Sequence, residues 1–446
     1  MFKILDRPNY HKLNATIKKS RYRPTIREWK VWELNPLPDI KHDLLPENEA
    51  ILGWDVNDPN LLSTIPFNPK KRLTMVIQGD ADSGKSTLCK WFCTQLNLRW
   101  KRPLAIFDPK RDWRTLLLKN THQPHIQELE RIGLKPKAYD KMCFISPEAI
   151  KIMDAQGKPY GISPKQISDL IQFNPILGTE LVYKLWDTSS GEPVARALQR
   201  IFYEKKPQSM KELINLIENY SKIFDVSNTP PTLAAQFFLL QMQKILSDNS
   251  VNIPQLLAEN KILDLELQIS SEKENTIQDF FVFAAINDLI ADRTVSVSSS
   301  NKQGYNHVPV TLIIEEGNVF AAPNRLTTEQ LTMITTKYRE INPLKASEGI
   351  NTYGFDFIIV CQHISDLEQR IVEEADWIVT PRVSSDEDIQ LLKLRGLDPF
   401  DIYELQNLEY PINKYPKTFK AIPKLKRNGI RTFKPLPPLT FVPIQS

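Results

Sequence analysis

Short apolar runs that end in polar or glycine-rich turns recur along this chain, separated by stretches whose apolar residues fall three and four apart. The runs are 51–56, 73–77, 103–109, 142–145, 262–267, 310–314, 357–361 and 377–380. Their length and β-branched content predict strands, and their nearly continuous apolar character predicts strands covered on both faces. Between them, 87–98, 194–202, 209–220, 233–246, 276–291 and 328–338 predict helices. From about 164 to 250 the pattern reads as mainly helical, opened by Leu170, Ile171, Leu177, Leu181 and Leu185. Strands alternating with helices imply an α/β fold with a mainly parallel sheet and helices on both faces.

Punctuation divides the chain. Residues 1–50 carry Pro8, Pro24, Pro36, Pro38 and Pro46 and predict an extended basic arm. Residues 51–160 and 256–410 predict the two parts of one core, interrupted by a helical insertion over 161–255. Residues 411–446, again rich in proline, predict a basic tail. The polar stretch 296–306, with Ser298, Ser299 and Ser300 in a row, predicts an exposed loop.

Charge follows the same division. The net charge of +4 conceals +7 over residues 1–30 and +8 over 411–446, which leaves −11 for the body. Basic ends around an acidic body suit either a nucleic-acid polyanion or acidic faces of neighbouring subunits, and both readings stay open. No apolar stretch approaches the roughly 18 residues of a membrane span, and the first residues lack a signal core. Cys89, Cys93, Cys143 and Cys361 form no C-x-x-C pair and predict buried, reduced thiols, which suits a cytoplasmic protein. His122 and His125 are three apart, but Pro124 lies between them and no cysteine is near, so no metal pair is expected there.

The most specific chemical signal follows the run at 73–77. Gly79-Asp80-Ala81-Asp82-Ser83-Gly84-Lys85-Ser86-Thr87 matches G-x-x-x-x-G-K-[ST] between a predicted strand and a predicted helix. Glycines let backbone N–H groups close around phosphates, and the helix start adds its positive dipole end. Lys85 is expected on the terminal phosphates and the Ser86 hydroxyl on Mg²⁺. A nucleoside triphosphate is the expected ligand. With no N-K-x-D-type guanine signature evident, ATP is the default.

Two other strand tips carry polar groups. The run at 310–314 ends in Glu315-Glu316. Triphosphate hydrolysis needs one acid near the metal and a second to orient and polarise the attacking water. By order, Glu315 is expected near Mg²⁺ through water and Glu316 as the base. The run at 357–361 ends in Gln362, whose amide suits the γ-phosphate or the water, with His363 as a neighbour. Lys337, Arg339, Arg370 and Arg382 are candidate cations for the transition state. Each also has the plain reading of a surface salt bridge.

Taken in order, GDADSGKST, IFDPKRDW, a helical module, ILDLEL, LIIEEGN, IIVCQH and WIVTPRV resemble the HerA/FtsK superfamily of ring-forming DNA-pumping ATPases. That group includes conjugation coupling ATPases and viral packaging motors. The resemblance spans about residues 51–410. It rests on Asp108-Pro109 after the second core strand, Gln362 at the sensor strand, Arg382 after the next strand, and Lys337 or Arg339 ahead of the sensor strand. Glu315 departs from the usual Asp, and Gly317-Asn318 from a common Ala-His. A β-barrel at the amino terminus and a winged helix at the carboxyl terminus, found in some members, are not expected here.

The resemblance implies a RecA-like P-loop NTPase core, a homo-hexamer with ATP and Mg²⁺ at subunit interfaces, and double-stranded DNA through the channel. Polar loops such as 296–305, with Lys302, are candidates to line it. A membrane-apparatus or nuclease partner is consistent with that group. Conjugative transfer, packaging and DNA processing remain open as the process served. The alternatives are an ATPase that energises a secretion or assembly apparatus without threading DNA, and a nucleotide switch with little turnover.

Overall fold

In a computed structural model of the chain, the described residues are 47–58, 60–68, 72–139, 142–145, 165–167, 171–172, 197–198, 200–224, 246–247, 253–260, 262–266, 282–283, 285–286, 289–290, 309–323, 327–328, 331–332, 355–408, 418–424 and 429–440. Of the expected arm over 1–50, residues 1–46 lie outside them and Glu49 and Ala50 belong to a strand; the loop at 296–305 with Lys302 and the cations Lys337 and Arg339 also lie outside.

The first half runs β1 (Glu49–Asp55), β2 (Leu62–Pro66), β3 (Thr74–Gln78), α1 (Lys85–Trp100), β4 (Leu104–Asp108), a 3₁₀ turn Asp112–Leu117, α2 (Gln123–Arg131), β5 (Met142–Ile145), β6 (Lys165–Ile167) and β7 (Ile171–Gln172). Then come α3 (Met210–Glu218), β8 (Leu246–Ser247), α4 (Ile253–Asn260), β9 (Ile262–Glu266), β10 (Val310–Ile314) and α5 (Gly317–Phe320). The chain closes with β11 (Phe355–Cys361), α6 (Gln369–Glu374), β12 (Trp377–Thr380), α7 (Asp386–Leu394), α8 (Pro399–Gln406), β13 (Phe419–Pro423) and β14 (Arg431–Pro435).

Among the described residues, one mixed sheet holds twelve strands in the order β2-β1-β14-β13-β12-β3-β11-β10-β4-β9-β5-β6. From β12 to β6 every pairing is parallel. From β12 to β2 every pairing is antiparallel. Alternate residues of each core strand enter two separate apolar clusters, as the two-residue period of a strand requires. Met75, Ile77, Ile106, Ile313, Ile358 and Val379 face the layer that holds α1, with Leu88, Phe92 and Trp113. Val76, Phe107, Ile314, Ile359 and Ile378 face the other layer, with Leu213, Ile371, Ile389 and Leu405. Burial on both faces explains why these strands read as unbroken apolar runs.

All eight predicted strands form, most within two residues of the expected bounds. Helix starts follow their caps. Ser209 accepts from Glu212 N at the start of α3, and Asp398 with Asp401 closes a capping box on α8.

Two expectations are corrected. The mainly helical reading from 164 fails at Lys165–Ile167, Ile171–Gln172 and Leu246–Ser247, which are short parallel strands. Isolated apolar residues three and four apart do not exclude a short strand. The carboxyl-terminal segment is no free tail, since β13 and β14 extend the main sheet. Beyond β14, Leu436 and Leu439 are buried, and Leu439 O accepts from Asn120 N at 3.2 Å and Lys137 N at 2.9 Å. Its basic residues are partly spent within the fold. Lys420 is 3% exposed and pairs with Glu404, and Lys424 pairs with Glu374.

Candidate nucleotide site

Parallel register brings the polar ends of β3, β11, β10 and β4 to one edge of the sheet. Cys361 is opposite Gln78, Ile359 is opposite Ile314, and Ile314 is opposite Phe107. Gly79 N donates to Cys361 O at 3.1 Å. The phosphate loop therefore springs from a strand flanked by β11, whose next residue is Gln362, and by β12, whose end leads to Arg382.

The loop's backbone fits its assigned role. Gly84 caps α1 with φ +86°, a conformation natural to glycine, and among the described residues no side chain caps the helix start. The first amides of α1 are thus left for a ligand. Asp80, Ala81 and Asp82 are exposed, and Ser86 and Thr87 are half-buried at the mouth. The Ser83 hydroxyl is buried and has no hydrogen-bond partner among the described residues. Lys85 is 7% exposed, and its Nζ donates to Asp80 O at 3.0 Å across the loop. Burial lowers its pKa, and Lys110 adds to that, against the opposing charges of Glu316 and Glu315.

Glu315 and Glu316 part company at the end of β10. Glu315 is 3% exposed and accepts from Trp113 Nε1 at 3.0 Å. Burial, with Asp108 nearby, pushes its carboxyl up to about 7. Asp108, at the tip of β4, accepts from Lys110 N and Trp113 N, both at 2.9 Å, and burial raises it to about 6. Glu316 is half-buried and forms an ion pair with Lys110. Burial draws Lys110 down, but its hydrogen bond and charge contact with Glu316 leave it raised overall.

Glu316 adopts φ 55°, the left-handed region, where a non-glycine residue is strained. Gly317 then lets the chain turn tightly onto β11. A Cβ at 317 would lie 2.5 Å from Ile359 Cγ2 and 3.3 Å from Val360 O. Gly317→Ala is therefore expected to displace Glu316, lowering triphosphate turnover together with the melting temperature, at a stability cost of about 1–3 kcal/mol. Thermal melts beside a turnover assay check this.

The raised carboxyls predict a pH dependence. An acid whose folded pKa lies above its unfolded value contributes stability below the unfolded pKa, and that contribution is lost as pH rises through the folded pKa. For Glu315 the loss runs from its ordinary 4.5 up to about 7, and amounts to roughly 3 kcal/mol at most. Glu315→Gln is expected to flatten that part of the stability–pH curve, as read by denaturant melts between those limits.

Of the expected site residues, Lys85, Glu315 and Glu316 share one electrostatic neighbourhood. Gln362 is half-buried at the adjoining strand end. Arg382 is exposed and follows Pro381, whose Cγ would lie 3.1 Å from a Cβ at Gly79. Arg370 is exposed on α6. The sequence reading missed Lys110 and Trp113, which hold the two glutamates. Their signal was present in the segment Asp108-Pro109-Lys110-Arg111-Asp112-Trp113, where only Asp-Pro was singled out. It also missed Arg114, which forks onto Glu266 at 2.5 and 2.6 Å.

No family model and no curated protein matches the chain. Among solved structures it is similar to VirB4 of Thermoanaerobacter pseudethanolicus, at 14% identity and a TM-score of 0.49, covering 86% of this chain and 96% of that one. It is similar to the bacterial conjugative coupling protein TrwBΔN70 at 12% identity and a TM-score of 0.46, covering 85% and 90%. The genome packaging NTPase B204 of Sulfolobus turreted icosahedral virus 2 aligns at 11% identity and a TM-score of 0.32, covering 83% and 100%. At such identities and scores these likenesses carry no functional argument, and the assignment rests on the site's own residues.

Proposed function

We propose that this chain is an ATPase of the HerA/FtsK type that works as a ring and moves duplex DNA. The observation that carries the enzymatic part is the row of strand tips at one sheet edge. The phosphate loop follows β3, Gln362 follows β11 beside it, and Glu315-Glu316 follow β10 next in line. Lys85 and the uncapped start of α1 hold the β- and γ-phosphates. Glu316 accepts a proton from the attacking water, and Gln362 orients that water or the γ-phosphate.

The donor set suits Mg²⁺ brought by the nucleotide. Among the described residues no group of three or more His, Cys, Asp or Glu forms a self-sufficient metal site. Mg²⁺ commonly relies on one or two protein oxygens plus substrate phosphates. Ser86 and Glu315 would hold it, and it would neutralise charge on the phosphates. Arg382 and Arg339 are the candidate cations for the transition state, one of them reaching a neighbouring subunit's nucleotide.

The DNA reading draws on the order of motifs and on the +7 balance of residues 1–30. One observation favours the other reading, a motor for a secretion or assembly apparatus: part of the carboxyl-terminal basic charge is spent on Glu404 and Glu374. Among the described residues no helix is long and apolar enough to cross a membrane, so such an apparatus would be met through a partner.

ATP turnover with and without duplex DNA, beside a sizing measurement, separates the two. A hexamer whose turnover rises with DNA and falls back steeply with salt supports the translocase. A ring indifferent to DNA supports the second reading, and a monomer without turnover contradicts both.

A further inference from the structure

One buried carboxyl group joins the ends of two neighbouring strands at the nucleotide site. Asp388, on α7, is fully buried. Its Oδ2 accepts from Gln78 Nε2 at 2.5 Å and from His363 Nδ1 at 3.0 Å, and its Oδ1 accepts from Ser365 N at 2.9 Å. Gln78 is the last residue of β3, immediately before Gly79. His363 directly follows Gln362. The three donors thus come from the root of the phosphate loop and from the segment that carries the sensor amide. Ser385 holds the start of α7 by accepting from Asp388 N at 3.3 Å.

A carboxyl group suits this arrangement, with two oxygens shared among three partners. An acid anion accepts at both oxygens, whereas an amide offers one acceptor and turns its own donors toward the remaining N–H groups. Bonded to both strand ends, Asp388 adds a side-chain link to the backbone bond from Gly79 N to Cys361 O that already joins them. Catalysis by positioned groups is sensitive to such distances, because a displacement near 1 Å costs on the order of a hundredfold in rate.

We infer that Asp388 is a positioning residue that locks the tip bearing Gln362 against the root of the phosphate loop, acting through Gln78, His363 and Ser365 rather than on the nucleotide. This role rests on the ATPase reading of the site. It predicts a split between chemistry and binding, since the loop itself remains intact without the clamp.

The experiment compares the full-length wild type with Asp388→Asn by ATP turnover, affinity for a non-hydrolysable ATP analogue, and amide hydrogen exchange over residues 362–366 with the analogue bound. The expected result is kcat lower by on the order of tenfold or more, analogue affinity within about twofold, and faster exchange over 362–366. Because a buried substitution can prevent folding, His363→Ala provides the same test at a side chain 40% exposed. An unchanged kcat and exchange rate in a folded variant overturns the inference, as does a parallel loss of affinity. If the wild type turns over no ATP, the ATPase reading fails, and the exchange measurement still decides whether Asp388 holds the tip.

Discussion

Glu316→Gln is expected to reduce ATP hydrolysis by on the order of a thousandfold, within the range that general-base catalysis contributes, while ATP binding is retained. Glu316 stands at the tip of β10 with its carboxylate held by Lys110, and the strained turn at 316–317 fixes where that carboxylate can go. The amide keeps the size and can still hydrogen-bond, but it cannot accept the proton. Single-turnover kinetics beside nucleotide titration check the prediction. Hydrolysis that survives this substitution would assign the base to another group. Among the described residues Glu315 is the other carboxylate at that tip, and it is buried and engaged by the Trp113 indole N–H, which leaves Glu316 the more accessible of the two.

The second large effect is expected at Lys85. Lys85→Ala removes a nearly buried cation whose present hydrogen bond, to Asp80 O, lies within the loop that would wrap the phosphates. A charge-assisted hydrogen bond of this kind is worth about 1.5–3 kcal/mol, so ATP affinity is expected to fall by roughly ten- to a hundredfold, with turnover lost as well. The fold is expected to tolerate the change, since burial already works against the charged form of this lysine. Titration calorimetry with ATP reads the affinity, and a matching thermal melt separates it from unfolding.

The core was legible because burial on both faces writes itself into the sequence. Val310–Ile314 and Phe355–Cys361 are buried throughout, and 310–314 and 357–361 read as apolar runs. The phosphate loop was legible because its glycines and its lysine answer to backbone geometry that few other residues meet. Of the strands at the antiparallel end, β1 was legible, and β2, β13 and β14 were not. β2 is five residues long, half-exposed and closed by Pro66. In β13 the buried Lys420 resembles a surface residue until its partner Glu404 is known, 16 positions away. Clamps such as Asp388 with Gln78 join residues 310 positions apart, so no local pattern marks them. The same holds for Trp113 and Glu315, separated by 202.

The central claim is that Lys85, Glu316 and Gln362 serve one triphosphate at the carboxyl edge of this sheet. An experimental structure with Mg²⁺ and a non-hydrolysable ATP analogue tests it most directly. The γ-phosphate is expected within hydrogen-bond reach of Lys85 Nζ, with Glu316 and the Gln362 amide converging on the water beside it. A nucleotide bound elsewhere, or a γ-phosphate that Glu316 and Gln362 both fail to approach, would contradict it.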